Sequence, residues 1–138
     1  MEKFEVVDIS GDAGIRAYGE TLEDVFTNVA MGMYSLITDP EGIGETKEIN
    51  VAAESLSLDG LLVSWLNELI FHFDTYGFIG RKIRIRTLEN HKIVAKISGE
   101  DFDPERHERR LLVKAATYHQ LSMEKKEGQW VAHVIFDI

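Results

Sequence analysis

Four stretches of this sequence carry side chains whose type and spacing could bind or react. The first is Asp8-Ile9-Ser10-Gly11-Asp12-Ala13-Gly14, two carboxylates flanking small residues that let the backbone come close to a cation or a partner. Its plain alternative is a hairpin connection in which Asp forms the turn and Gly takes a positive φ. The second is Val134-Ile135-Phe136-Asp137-Ile138, where strand alternation continues to the last residue. A final strand of that kind fixes Asp137 and the α-carboxylate of Ile138 against a sheet, whereas most termini fray. If Asp12 lies beside that end, three anionic oxygen groups converge, and a cation or basic partner must neutralise them. All-oxygen ligands suit calcium or magnesium better than zinc. The alternative is a carboxylate in solvent, and the order of residues alone does not bring it to Asp12.

The third stretch is Lys114-Ala115-Ala116-Thr117-Tyr118-His119. On a strand, Lys114, Ala116 and Tyr118 share one face and Ala115, Thr117 and His119 the other. His119 has a near-neutral intrinsic pKa and is a candidate acid-base group or partner contact, and Lys114 a candidate counter-charge or partner contact. The structural alternative for both is a hydrogen-bonded strand histidine and a surface lysine. Basic residues concentrate in the fourth stretch, Arg81-Lys82-Ile83-Arg84-Ile85-Arg86, which suits RNA or an acidic partner, or equally a solvated hairpin guarded against edge-to-edge aggregation. Among the histidines 72, 91, 107, 119 and 133 there is no H-x-x-x-H or H-E-x-x-H spacing, and the chain lacks G-x-S-x-G, P-loop and G-x-G-x-x-G motifs. No catalytic residue is assigned.

The elements that must position these groups follow from periodicity. Phe4 to Val7 and Ile15 to Gly19 read as strands joined by a flexible connection, and Thr21 with Asp24 opens a helix with apolar residues at 22, 25, 26, 29, 33 and 36. That helix must end before Asp39-Pro40. Thr46 to Ala53 reads as a strand, and Ser57 caps a second helix running to about Thr75, closed by Gly77. Lys82 to Leu88 and His91 to Ser98 form a hairpin across Glu89-Asn90, and the polar stretch from Asp103 to Glu108 is a loop or helical turn with Pro104 at its start. Leu112 to Tyr118, Leu121 to Lys125 and Trp130 to Phe136 complete the strands. The expected class is α+β, a single domain over residues 1–138 with two helices packed on one face of a largely antiparallel sheet.

Composition narrows the function. The 138 residues carry 15 Lys+Arg against 24 Asp+Glu, a formal net charge of -9, which argues against broad attraction to nucleic-acid phosphates and makes any involvement with RNA indirect. With no cysteine there can be no disulfide, thiolate nucleophile or cysteine-ligated metal. Neither a signal-peptide pattern nor a run of about 20 apolar residues is present, so the expected location is cytoplasmic, away from membranes.

Read together, these stretches resemble the archease family. Residues 8–26, D-I-S-G-D-A-G-I-R-A-Y-G-E-T-L-E-D-V-F, are similar to the family's D-H-T-A-D-x-G opening and the helix behind it. Residues 61–69 resemble its central helix, residues 99–107 its G-E-x-F-D-x-x-x-H segment, residues 113–119 its V-K-A-x-T-Y-H strand and residues 136–138 its D-I ending. The resemblance implies a strand-helix-strand-strand module with an inserted element. It also implies a non-catalytic accessory protein that promotes guanylylation and multiple turnover of the GTP-dependent, RtcB-type tRNA-splicing RNA ligase, meeting tRNA only indirectly. The family's metal site, carried over residue by residue, falls on Asp12, Asp137 and the carboxylate of Ile138. One departure stands out: Ile9-Ser10-Gly11 replaces the usual His-Thr-Ala, so no role of that histidine transfers. Other readings are a metal-dependent phosphoesterase using the carboxylates with His119, and an RNA-binding or chaperone module in tRNA processing using Lys82, Arg84 and Arg86.

Overall fold

The computed structural model describes residues 3–138. Strands β1 (Phe4–Ile9) and β2 (Asp12–Gly19) form a hairpin, followed by helix α1 (Leu22–Ile37), a single 3-10 turn (Pro40–Gly42), strand β3 (Lys47–Glu54) and helix α2 (Leu58–Tyr76). Strands β4 (Phe78–Glu89), β5 (Lys92–Asp101), β6 (Ala115–Ala116), β7 (Ser122–Lys126) and β8 (Gln129–Asp137) complete the fold. The class is α+β, as expected, and the strand pairings are antiparallel. The strands divide between two sheets, however. One runs β1-β2-β8, with β6 and β7 sharing the far edge of β8; the other runs β3-β5-β4.

Both helices start and stop where local chemistry dictates. The Thr21 hydroxyl accepts the Asp24 N–H at 3.1 Å, and the Ser57 hydroxyl accepts the Gly60 N–H at 3.0 Å, each satisfying an amide that the first helical turn leaves without a partner. At the end of α2, Gly77 donates its N–H to the Phe73 carbonyl at 2.8 Å. Along α1 the spacing of Val25, Phe26, Val29 and Met33 puts them on one fully buried stripe, and along α2 Leu61, Leu62, Trp65, Leu66 and Leu69 do the same. The Trp65 indole N–H donates to the Phe26 carbonyl at 3.2 Å, so the polar atom of this buried ring is satisfied and the two helices are tied together. The inner faces of both sheets, Ile15, Ala17, Val134 and Phe136 from one and Val51, Ile93, Ala95 and Ile97 from the other, close on this pair of helices in one apolar cluster. Each such large side chain contributes roughly 1.5–3 kcal/mol on burial.

Three local expectations are corrected. The flexible connection placed at Ser10 to Gly14 is a two-residue turn, Ser10-Gly11, between the paired residues Ile9 and Asp12, so Asp12 belongs to a strand. Gly11 makes this turn with φ +81, a conformation that side chains resist. In the β4-β5 hairpin the turn lies at Asn90-His91, one residue later than expected, because Glu89 pairs with Lys92. The third correction concerns Leu112 to Tyr118, of which only Ala115–Ala116 is strand. Just upstream, Arg110 and Leu111 donate their N–H groups to the Ile37 and Leu36 carbonyls at 3.0 and 2.9 Å, and the Thr38 hydroxyl donates to the Glu108 carbonyl at 2.6 Å. The two N–H bonds satisfy carbonyls that the end of α1 leaves open, the Thr38 hydroxyl holds the same segment from the other side, and the chain reaches the sheet only at Lys114.

Candidate metal and partner-docking site

The β2-β8 ladder decides where the carboxylates go. Its outermost pair is Ala13 with Phe136, and one step further out on the two strands come Asp12 and Asp137. Residues opposite one another in an antiparallel ladder have Cα atoms about 4.5–5.5 Å apart and point to the same face. Ala13, Ile15 and Ala17 of β2 face the helices, as do Ala132, Val134 and Phe136 of β8. Alternation therefore turns Asp12 and Asp137 together to the outer face, at the end of the sheet. Asp8 pairs with Ala13 and so lies on the other face, apart from them. Ile138 follows directly, with 37% of its surface exposed. Among the described residues neither Asp12 nor Asp137 has a cationic side chain within ion-pair distance.

Lys114 belongs to the same end. Its backbone N–H donates to the Asp137 carbonyl at 2.8 Å, while its exposed side chain forms no ion pair among the described residues. The short strand β6 that follows is an edge strand, and its outer edge is held by a residue that pattern reasoning did not single out. Asn67 on α2 accepts the Ala116 N–H at 2.8 Å through its side-chain oxygen and donates its amide to the Ala116 carbonyl at 3.3 Å. Its signal was an amide set within an apolar helix. Thr117 bonds Ile135 through both its N–H and its hydroxyl, at 3.0 and 2.8 Å, and the chain then leaves the ladder at His119 and Gln120. His119 is exposed in the turn after β6, where its N–H donates to the Thr117 hydroxyl at 3.2 Å and the carbonyl of the next residue, Gln120, lies 3.2 Å from His133 Nδ1; His133 is four residues along β8 from Asp137, about 13 Å at strand rise. The structure thus brings together Asp12, Asp137, Ile138 and the Lys114 backbone, and leaves His119 apart.

A second polar cluster anchors the segment leading to Lys114. Glu100, only 5% exposed at the end of β5, accepts the Gly44 N–H, an Arg106 Nη2 hydrogen at 2.5 Å and a hydrogen bond from His107 Nε2 at 3.1 Å. The other ring nitrogen of His107 accepts the Asp103 N–H at 2.8 Å, which assigns the neutral Nε2–H tautomer to this buried ring. The Arg106 hydrogen bond first, and the Gly44 N–H next, outweigh burial and hold the Glu100 carboxyl down from 4.5 to about 2. Gly99 beside it is obligatory for space, since a Cβ there would stand 2.0 Å from the Ile79 carbonyl oxygen. The sequence offered this cluster only as a motif, residues 99–107, with no role attached.

What the site can hold follows from its donors. Among the described residues no group of three or more His, Asp or Glu side chains is placed to hold a metal. Asp12 and Asp137 are a pair of hard oxygen donors on that outer face. No helix among the described residues is long and apolar enough to cross a membrane.

Comparison with known proteins now bears on these features. The model of the Archease protein family (MTH1598/TM1083) matches residues 4–138. The chain belongs to the archease family. It is 37% identical over 141 residues to the protein archease of Methanosarcina mazei, covering 99% of this chain and 97% of that one. To the protein archease of Pyrococcus furiosus it is 37% identical over 142 residues, with complete coverage of both. Among solved structures, the solution structure of Methanobacterium thermoautotrophicum protein 1598 superposes with a TM-score of 0.78 at 33% identity, covering all of both chains. A crystal structure of an archease and possible chaperone from Thermotoga maritima shares the fold, with a TM-score of 0.68 at 19% identity over 96% of this chain and 94% of that one.

Proposed function

We propose that this protein is a non-catalytic, cytoplasmic activator of a GTP-dependent, RtcB-type tRNA-splicing RNA ligase, docking on it through the acidic end of the first sheet. The observation that carries the reading is the alignment of Asp12 and Asp137 on one face at the end of the β2-β8 ladder, with no cationic side chain within ion-pair distance of either among the described residues. Family membership supplies the context, since archeases resemble this chain over essentially its whole length. In this reading Asp12, Asp137 and the α-carboxylate of Ile138 hold a calcium or magnesium ion. Bound there, the ion would neutralise neighbouring anions and fix the shape of the tip.

The chain's own residues act on position. The Ser10-Gly11 turn sets Asp12, the Lys114 N–H restrains the strand end at Asp137, and Asn67 holds β6 against β8. An activator of this kind acts on another protein's equilibrium or barrier and needs no nucleophile itself. The turn that carries His119 stands beside His133, four residues along β8 from Asp137, which lowers support for the phosphoesterase reading, since that reading needs His119 beside the carboxylates.

The decisive experiment is single-turnover guanylylation of the cognate ligase with and without this protein, using Asp12→Ala and Asp137→Ala. Loss of stimulation by folded variants supports the reading, and full stimulation by both sinks it. A chain extended beyond Ile138 converts its carboxylate to an amide; calcium affinity that does not fall removes Ile138 from the ligand set.

A further inference from the structure

The outer face of the second sheet carries charge that the proposed docking end does not use. Cross-strand register lays it out in rows: Asn50, Lys96 and Arg84 in one, Glu48, Ser98 and Lys82 in the next. Arg86, at an irregularity in β4, is exposed beside them. Arg84 therefore stands directly opposite Lys96, a like-charge pair in a position where cross-strand neighbours interact most strongly and like charges destabilise. Glu48 lies 3.4 Å from Lys96 and offsets that ammonium, but among the described residues Lys82, Arg84 and Arg86 have no carboxylate partner. Along β4 Lys82 and Arg84 stand two residues apart, about 6.6 Å at strand rise, and the exposed Arg86 follows at the bulge. A chain of net charge -9 thus concentrates cations without carboxylate partners on one sheet face.

We propose that this face binds the phosphate backbone of duplex RNA. Arg, Lys, Asn and Ser are the side chains that phosphate oxygens recruit, and they are what the two central rows present beside the single Glu48. None of the outward residues of β3 and β5, nor Lys82, Arg84 or Arg86, is aromatic, so the stacking that single strands use is missing, and contact is with backbone rather than bases. Screening beyond roughly 8 Å at physiological salt lets this face act in spite of the acidic remainder of the chain. The choice of RNA over DNA rests on the proposed role beside an RNA ligase; the phosphate chemistry does not.

The test uses the full chain without any ligase and a fluorescent RNA hairpin with a stem of about 16 base pairs. Neutralising about three phosphates predicts a slope of log K against log salt near -2.7, so affinity should fall about 40-fold between roughly 50 and 200 mM salt. Arg84→Thr should flatten the slope by about 0.9, leaving a fall of about 12-fold. The same substitution relieves the pair with Lys96 and should raise the urea midpoint, which shows that the variant is folded and that Arg84 stands there at a cost to stability. The proposal is overturned by any of four results: no hairpin binding at low salt, an unchanged slope in Arg84→Thr, tighter binding of a single strand or a DNA hairpin of equal charge, or displacement of RNA by polyglutamate at equal charge concentration. Because no ligase is present, hairpin binding survives a failure of the activator reading and fails independently of it.

Discussion

Replacing Glu100 by Gln removes one negative charge from a site built for it. In the native protein the carboxylate receives hydrogen bonds from Arg106, Gly44 and His107, and its pKa falls from 4.5 to about 2. A carboxyl whose pKa is depressed on folding contributes stability above its unfolded value of 4.5, and that contribution is lost as the pH falls toward 2. At about 1.4 kcal/mol for each pH unit, the difference sets an upper bound of roughly 3.5 kcal/mol. Arg106 is 57% exposed, so solvent screening reduces the realised value to about 1–2 kcal/mol. Gln keeps the shape but turns an NH2 group toward donors, and the penalty for leaving buried donors unsatisfied is of similar size. Urea denaturation of wild type and Glu100→Gln at intervals from pH 7 down to pH 2 measures this. The wild type should be more stable at pH 7 by about 2 kcal/mol, and the gap should close below pH 4.5, since only the wild type loses the anion. Equal stabilities at pH 7, or a gap independent of pH, would refute the assignment of Glu100 as a charged anchor.

Removing the Asn67 side chain should free the edge of β6. Asn67→Ala leaves the Ala116 N–H and carbonyl without their side-chain partners and should cost about 1–3 kcal/mol in urea, with faster hydrogen exchange at Ala116 than elsewhere in the first sheet. Gly11→Ala should lower stability by about 1 kcal/mol or somewhat more through backbone strain alone, because φ is +81 and nothing lies within 4 Å of the added methyl; calorimetry reads this directly. If calcium binds at the sheet end, a concentration of about 100 times its Kd should stabilise the protein by about 2.7 kcal/mol, reversibly with chelator, and Asp137→Asn should abolish the shift. A Tm indifferent to calcium and magnesium would remove the metal from the proposal.

The helices and most strands were legible in the residue order because the information for them is local. Thr21 and Ser57 cap the helices they precede, the apolar stripes of α1 and α2 repeat at helical spacing, and alternation marked β3, β4, β5, β7 and β8 to within a few residues. The failure at Leu112 to Tyr118 has a non-local cause: hydrogen bonds to Leu36 and Ile37, far away in the chain, close the end of α1 instead of extending a ladder. Division of the strands into two sheets was equally invisible, because alternation gives a strand two faces without naming its neighbours.

For function the division falls in the same place. Residue type alone identified Asp12 and Asp137 as hard oxygen donors, Lys82, Arg84 and Arg86 as a basic run, and the absence of cysteine as the end of thiolate chemistry. Only the tertiary structure decided which groups meet. Asp12 and Asp137 lie 125 residues apart in sequence and come together through the β2-β8 register, where a slip of one residue would turn one of them to the helix side. His119, whose sequence neighbours resemble a family motif, falls away because the ladder that carries Ala115 and Ala116 ends before it. Glu100 acquires a role only when Gly44, Arg106 and His107 converge on it. A sequence specifies the chemistry of each group, but proximity between distant groups is a property of strand register and packing, and it exists only in the folded chain.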